Sequence, residues 1–162
     1  MQNKEAAQLE KAKNYAFLLL KFRPRSEYEI YQRLKRKKFE DKIIKETISF
    51  LKEKVFLDDE AFARAWIEGR LKRPFGLRRI RQELKLKGIS QETIDKQIAA
   101  VKEGYCEESI VAKIAKDRFT KLKSVDPDKA RRRIFDYLLR RGFSPDIVRD
   151  TLFAKAKGVP TE

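Results

Sequence analysis

The chain has 162 residues, 41% of them apolar, and 40 lysines and arginines against 25 aspartates and glutamates give a formal net charge of +15 at pH 7. That length can fill one ordinary core or a few small stacked ones, while a mean hydropathy of −0.66 and the lack of any apolar run near the roughly 20 residues of a spanning helix argue against a membrane protein. There is no histidine and one cysteine, Cys106, which excludes Ser-His-Asp and Cys-His catalysis, zinc clusters and an intrachain disulfide, and the charge favours a polyanionic partner.

Apolar residues recur at spacings of three and four and β-branched runs are scarce, so the chain is predicted to be all-helical. The polar start, Met1 to Gln8, lacks the apolar segment of a secretory signal; with a single cysteine, the expectation is a cytoplasmic protein. A first helix is predicted over 15–22. Ser26 and Glu29 have capping-box spacing, in which each side chain takes an orphan N–H of the other's residue, so a second helix starts there. Asp58, followed by Asp59 and Glu60, heads a helix over 62–71, its carboxylate accepting an orphan N–H at the positive end of the helix dipole. Gly88 and Gly142 mark helix ends where a left-handed residue is needed. A further helix is predicted over 110–119, and Asp126-Pro127 and Ser144-Pro145 each place an N-cap before a first-turn proline.

Ile30, Leu34, Phe39, Ile44 and Ile48 recur fifty positions later as Ile80, Leu84, Ile89, Ile94 and Ile98, and fifty-four further on as Ile134, Leu138, Phe143, Val148 and Leu152. In each set an i,i+4 pair marks one helix face, the next residue covers a turn, and a second amphipathic helix follows. With one upstream helix each, the prediction is three tandem three-helix repeats in an elongated or curved array. Their bounds are 1–57 with an N-terminal extension, 58–106, and 107–162 with a short C-terminal tail. Two positions depart from the pattern. Lys38 stands where the other repeats have glycine, so its turn either differs or carries a left-handed cost of about 1 kcal/mol. The third repeat's four extra residues are expected in the connection over 121–127, since insertions belong in loops.

Each repeat carries a basic cluster: Lys35, Arg36 and Lys37, with Arg33 and Lys38 beside them; Arg70, Lys72, Arg73, Arg78, Arg79 and Arg81; and Arg131, Arg132, Arg133, Arg140 and Arg141. Fifteen basic against eight acidic residues in 1–57, eleven against eight in 58–106 and fourteen against nine in 107–162 spread the excess along the chain. Long basic side chains commonly solvate helix faces, but clusters at corresponding places in three repeats predict an extended surface facing a polyanion, with salt-dependent binding where phosphates are contacted. Phe75, between Arg73 and Gly76, is a candidate for stacking on bases, as are Tyr28 and Tyr31, whereas Phe62 and Trp66 pair at i,i+4 in the manner of a core. Asp58-Asp59-Glu60 and Asp126-x-Asp128 could in principle hold a hard cation, but they read as helix starts. Nothing resembles a phosphate loop or dinucleotide fingerprint, and Cys106 reads as a small, partly buried residue. No catalytic, cofactor-binding or metal-ligating residue is predicted.

The run Asp58-Asp59-Glu60-Ala61-Phe62-Ala63-Arg64-Ala65-Trp66, then Arg70, Phe75-Gly76, Arg79-Ile80-Arg81-Gln82-Glu83-Leu84 and Lys87-Gly88-Ile89, resembles the RecX family of bacterial recombination regulators. Arg23-Pro24-Arg25-Ser26-Glu27 with Leu34, and Leu138 with Arg141-Gly142-Phe143, agree in the flanking repeats, so the resemblance covers residues 12–153. It implies an all-helical regulator without an active site that binds the RecA-DNA filament and modulates, mostly inhibits, its ATP hydrolysis, strand exchange and coprotease activity. Its setting would be homologous recombination, DNA repair and the SOS response. The resemblance assigns Asp58, Phe62, Trp66, Gly76, Ile80, Leu84 and Gly88 to architecture, and Arg70, Arg79 and Arg81 to contact. Expected partners are the RecA filament and single- or double-stranded DNA, with no membrane, for a monomer. The alternative is a general or helix-turn-helix-like DNA-binding protein, with a metal-dependent nuclease behind both.

Overall fold

The computed structural model describes residues 2–153, with side-chain surroundings from residue 4 onward. Met1 and the tail assigned to the third repeat, 154–162, lie outside the described residues. Nine helices and no strand occur among the described residues: α1 (Gln2–Phe22), α2 (Glu27–Arg36), α3 (Asp41–Glu53), α4 (Asp59–Leu71), α5 (Leu77–Leu86), α6 (Gln91–Lys102), α7 (Glu107–Lys121), α8 (Pro127–Arg140) and α9 (Pro145–Phe153). They group into two compact units. One comprises described residues 2–66 and 83–97, the other 67–82 and 98–153.

The predicted starts are built as their side chains dictate. Ser26 and Glu29 form the reciprocal capping box. The Asp58 carboxylate accepts from Ala61 N–H at 2.9 Å, and Asp126 does the same for Lys129 N–H at 3.0 Å with Pro127 in the first turn. Each cap satisfies a donor that the helix leaves without an internal acceptor.

The three periodic sets share one turn chemistry. The residue after the C-cap is left-handed at Lys38 (φ 63°), Gly88 (φ 76°) and Gly142 (φ 85°). The N–H of the next residue, Phe39, Ile89 or Phe143, donates back to Leu34, Leu84 or Leu138 at 3.3, 3.1 and 3.2 Å. That is the Schellman bond, and the apolar pair it joins is why these residues recur together. Ile30, Ile80 and Ile134 are fully buried, as are Leu34, Leu84, Leu138 and Phe143; Phe39 is half-buried. The Lys38 turn is therefore built like the others, with a non-glycine residue bearing the left-handed conformation. Val55 does so as well (φ 59°), after α3.

Two expectations are corrected. The first helix begins at Gln2 rather than near Tyr15, because Ala12 and Ala16 are fully buried on the seam that continues to Leu19; small alanines leave little periodic signal. The four extra residues of the third repeat are not in a loop. The connection over 122–126 is no longer than that over 72–76, whereas α8 has 14 residues against 10 in α2 and α5. Four residues are close to one 3.6-residue turn, so the insertion lengthens the helix and keeps its face, and Ala130, 2% exposed, extends the Ile134–Leu138 seam.

Candidate nucleic-acid interface

The start of α2 meets the α5–α6 turn in the first unit, and the start of α5 meets the α8–α9 turn in the second. In the first junction the Ser26 hydroxyl donates to the Lys87 carbonyl at 2.6 Å. In the second, Gly76 N–H donates to the Arg141 carbonyl at 2.8 Å. Ser26 and Gly76 are fifty positions apart and Lys87 and Arg141 fifty-four, so the two contacts are equivalent by the repeat. The approach is close enough to require glycine. A Cβ on Gly88 would lie 2.3 Å from Tyr28 Cβ, one on Gly142 2.3 Å from Arg79 Cβ, and one on Gly76 2.2 Å from the Gly142 carbonyl oxygen.

The charge patterns at the two junctions differ. In the first, Glu29 accepts from Arg23 at 2.9 and 3.1 Å and from Lys87 Nζ at 2.9 Å. Burial pushes the Glu29 carboxyl up, but the hydrogen bonds from Arg23 and Lys87 outweigh it and hold its pKa at about 2. Lys87 Nζ also lies 4.3 Å from the Trp66 ring centroid, and Trp66 Nε1–H donates to Glu83 at 3.1 Å. Trp66 is half-buried, stacked on Phe62.

In the second junction the repeat places Arg79 where Glu29 stands and Tyr137 where Glu83 stands. Three guanidinium groups gather over the Phe75 ring, Arg70 at 5.2 Å and Arg79 and Arg141 at 4.7 Å from its centroid. Arg141 also lies 5.0 Å from the Tyr137 centroid, and Arg118 lies 3.3 Å from it. Arg79 is tied down by a bond to the Arg140 carbonyl at 3.2 Å. Attraction to the ring faces holds the cations in place, on the order of 0.5–1 kcal/mol each at exposed sites.

Eleven of the fourteen predicted contact residues fall in this second unit: Arg70, Lys72, Arg73, Arg78, Arg79, Arg81, Arg131, Arg132, Arg133, Arg140 and Arg141. Lys72, Arg73, Arg78, Arg132, Arg133 and Arg140 are exposed, Arg70, Arg81 and Arg141 are half-buried, and Arg131 pairs with Asp128 at 2.8 Å. Lys35, Arg36 and Lys37 are exposed on the first unit; Lys35 pairs with Asp41 at 2.7 Å and Lys37 lies 5.3 Å from the Tyr15 ring. Phe75 is 9% exposed and covered by arginines, so it supports cations rather than offering a face to a base. Tyr28 packs against Gly88 and Tyr31 reaches Asp41. The acidic runs are occupied with caps, and the Asp59 carboxylate accepts from Glu27 N–H at 2.8 Å. Cys106 is exposed, at the N-cap of α7. Arg118 and Tyr137 were not among the predicted residues. Tyr137 was findable, since the repeat alignment sets it against a carboxylate; Arg118 leaves no such mark.

Three domain models of the RecX family, its first, second and third three-helix domains, match residues 12–51, 58–96 and 107–152. The regulatory protein RecX of Mannheimia succiniciproducens is 32% identical over 131 residues, covering 80% of this chain and 84% of the relative. That of Vibrio campbellii is 32% identical over 135 residues, covering 83% and 85%. The crystal structure of RecX from Lactobacillus salivarius superposes with a TM-score of 0.76 at 19% identity over 90% of this chain and 95% of that one, a likeness of fold. The repeated turns, the glycines they require and these matches agree: the chain belongs to the RecX family of regulatory proteins.

Proposed function

We propose that this chain binds the RecA-DNA nucleoprotein filament in the cytoplasm, as a monomer without catalytic activity of its own, and modulates, mostly inhibits, its ATPase, strand-exchange and coprotease activities. The observation that carries the reading is the gathering of eleven predicted contact residues in one compact unit of a regulator-family chain. A filament assembled on DNA offers the phosphates such a surface recognises. The first unit complements it with exposed apolar side chains, Leu18, Phe22, Val55 and Phe56, of the kind protein partners cover. Inhibition then follows from differential affinity: the chain binds filament states poor in turnover or subunit exchange more tightly than active ones.

The test is ATP hydrolysis by RecA on single-stranded DNA titrated with this protein, with binding to the same DNA alone measured over a salt series. Inhibition well below the RecA concentration, at salt where free-DNA binding is weak, is the expected result. A fall in hydrolysis only when the protein saturates the DNA would replace this reading with that of a general or helix-turn-helix-like DNA-binding protein.

A further inference from the structure

We propose that the second junction is a built phosphate site, in which Arg118 and Arg141, seated on the rings of Tyr137 and Phe75, grip one phosphodiester group of a nucleic-acid strand, with Arg79 and Arg70 behind them. The inference rests on the reading of the second unit as the nucleic-acid-facing one. Its main support is internal to the chain. The same repeat-to-repeat contact is made twice, and the first copy encloses its own anion, the Glu29 carboxylate, between Arg23 and Lys87. The second copy replaces that carboxylate by Arg79 and its neighbour Glu83 by Tyr137, so packing alone does not demand four arginines there. Among the described residues no carboxylate pairs with Arg118 or Arg141, and their guanidinium groups rest on ring faces. A ring face leaves a guanidinium's N–H donors to other acceptors, and the planar guanidinium fork suits the oxygens of a phosphate. A carboxylate partner on a protein fits less well. The exposed large apolar residues of this unit are limited, among those described, to Phe153, whereas protein interfaces are built around apolar and aromatic anchors.

The probe is a fluorescent single-stranded oligothymidylate, with a duplex of equal length as a second arm, bound to the full chain without RecA over a salt series. Arg118→Gln/Arg141→Gln should weaken binding roughly tenfold at low salt and lower the log–log salt slope by about 0.7, the share of one single-strand phosphate contact. Arg118→Lys, which keeps the charge and loses the planar fork, should weaken binding nearly as much as Arg118→Gln. Tyr137→Phe should bind normally while Tyr137→Leu does not. Arg149→Gln, an exposed arginine paired with Asp146, is the control for lost charge. Equal losses in Arg149→Gln and Arg118→Gln, or normal binding by Arg118→Lys, would show diffuse attraction and overturn the site. Competition by polyglutamate as strong as by oligonucleotide would reassign it to an acidic protein surface. Because RecA is absent from this assay, failure of the filament titration leaves the site standing, and loss of the site leaves the filament reading to its own test.

Discussion

The two junctions are one piece of architecture with two electrostatic solutions. Both dock the start of a helix onto a Schellman turn through a bond to the carbonyl before the turn glycine, and both bring backbones together where no Cβ fits. In the first, one carboxylate with 17% side-chain exposure bridges two cations. In the second, Arg118 and Arg141 rest on two aromatic rings. The shared parts are what the fold needs. The parts that differ are not required by the shared docking, and on the proposal above the first serves stability and the second recognition.

Breaking the shared part should cost most. Gly76→Ala drives a Cβ to 2.2 Å from the Gly142 carbonyl oxygen, a backbone atom that cannot step aside alone. We expect a loss of about 2–4 kcal/mol in denaturant unfolding. Gly104→Ala, with nothing within 4 Å of the added Cβ, should be neutral within about 1 kcal/mol. Equal effects of the two would mean that the close approach is not maintained in solution.

Exchanging the parts that differ is the next largest effect, and it should be asymmetric. Glu29→Arg removes the reciprocal cap and sets a third cation beside Arg23 and Lys87, a cost of about 2–3 kcal/mol. The reverse exchange, Arg79→Glu, gives up the exposed bond to the Arg140 carbonyl and the contact with the Phe75 ring, and gives Arg141 an anion. Its stability should change by less than about 1 kcal/mol while oligonucleotide binding falls at least tenfold. A large loss of stability in Arg79→Glu would show that the second junction also depends on its own charge pattern to fold.

Acid should act on the first junction. Glu29 has a folded pKa of about 2, below its unfolded value, so its stabilisation is complete above about pH 4.5 and is lost as pH falls through about 2. Glu29→Gln should lower stability by about 1 kcal/mol at pH 7, the pair being only partly shielded from water, and should flatten the decline below pH 4.5. Asp59 works in the opposite sense. Burial raises its pKa, opposed by the Glu27 N–H bond, so protonation favours the fold, and this contribution grows as pH falls through the raised value. Parallel acid melts of Glu29→Gln and Asp59→Asn that shift in the same direction would contradict one of the two assignments, the one whose predicted direction is not seen.

Much of this was legible in the sequence for a physical reason: a repeat copies its core and its turns. Ile30, Leu34 and their counterparts, the capping box at Ser26 and the turns at Gly88 and Gly142 all follow from local chemistry that periodicity makes visible. What escaped depends on contacts between residues far apart in the chain. Nothing near Phe75 shows that Arg141 covers it, and Arg118 reaches Tyr137 through the packing of α7 on α8. The extra turn of α8 escaped for a different reason, since an insertion of four residues is invisible to helical phase.

The smallest effect concerns why the first turn lacks glycine. Gly88 and Gly142 are held by two constraints, a left-handed backbone and a neighbour where Cβ would go; Lys38 has φ 63° but is exposed, and Phe39 behind it is only half-buried. The first constraint alone costs a non-glycine residue about 1 kcal/mol, and the fold tolerates it there because the exposed position leaves room for a side chain. Lys38→Gly should therefore raise stability by about 0.5–1 kcal/mol in equilibrium unfolding, relieving the backbone at the cost of some chain entropy. Gly88→Ala, which meets both constraints, should lose at least twice that. If Lys38→Gly were destabilising instead, the lysine side chain would be holding the turn through contacts of its own, and the first turn would have to be counted among the docked ones.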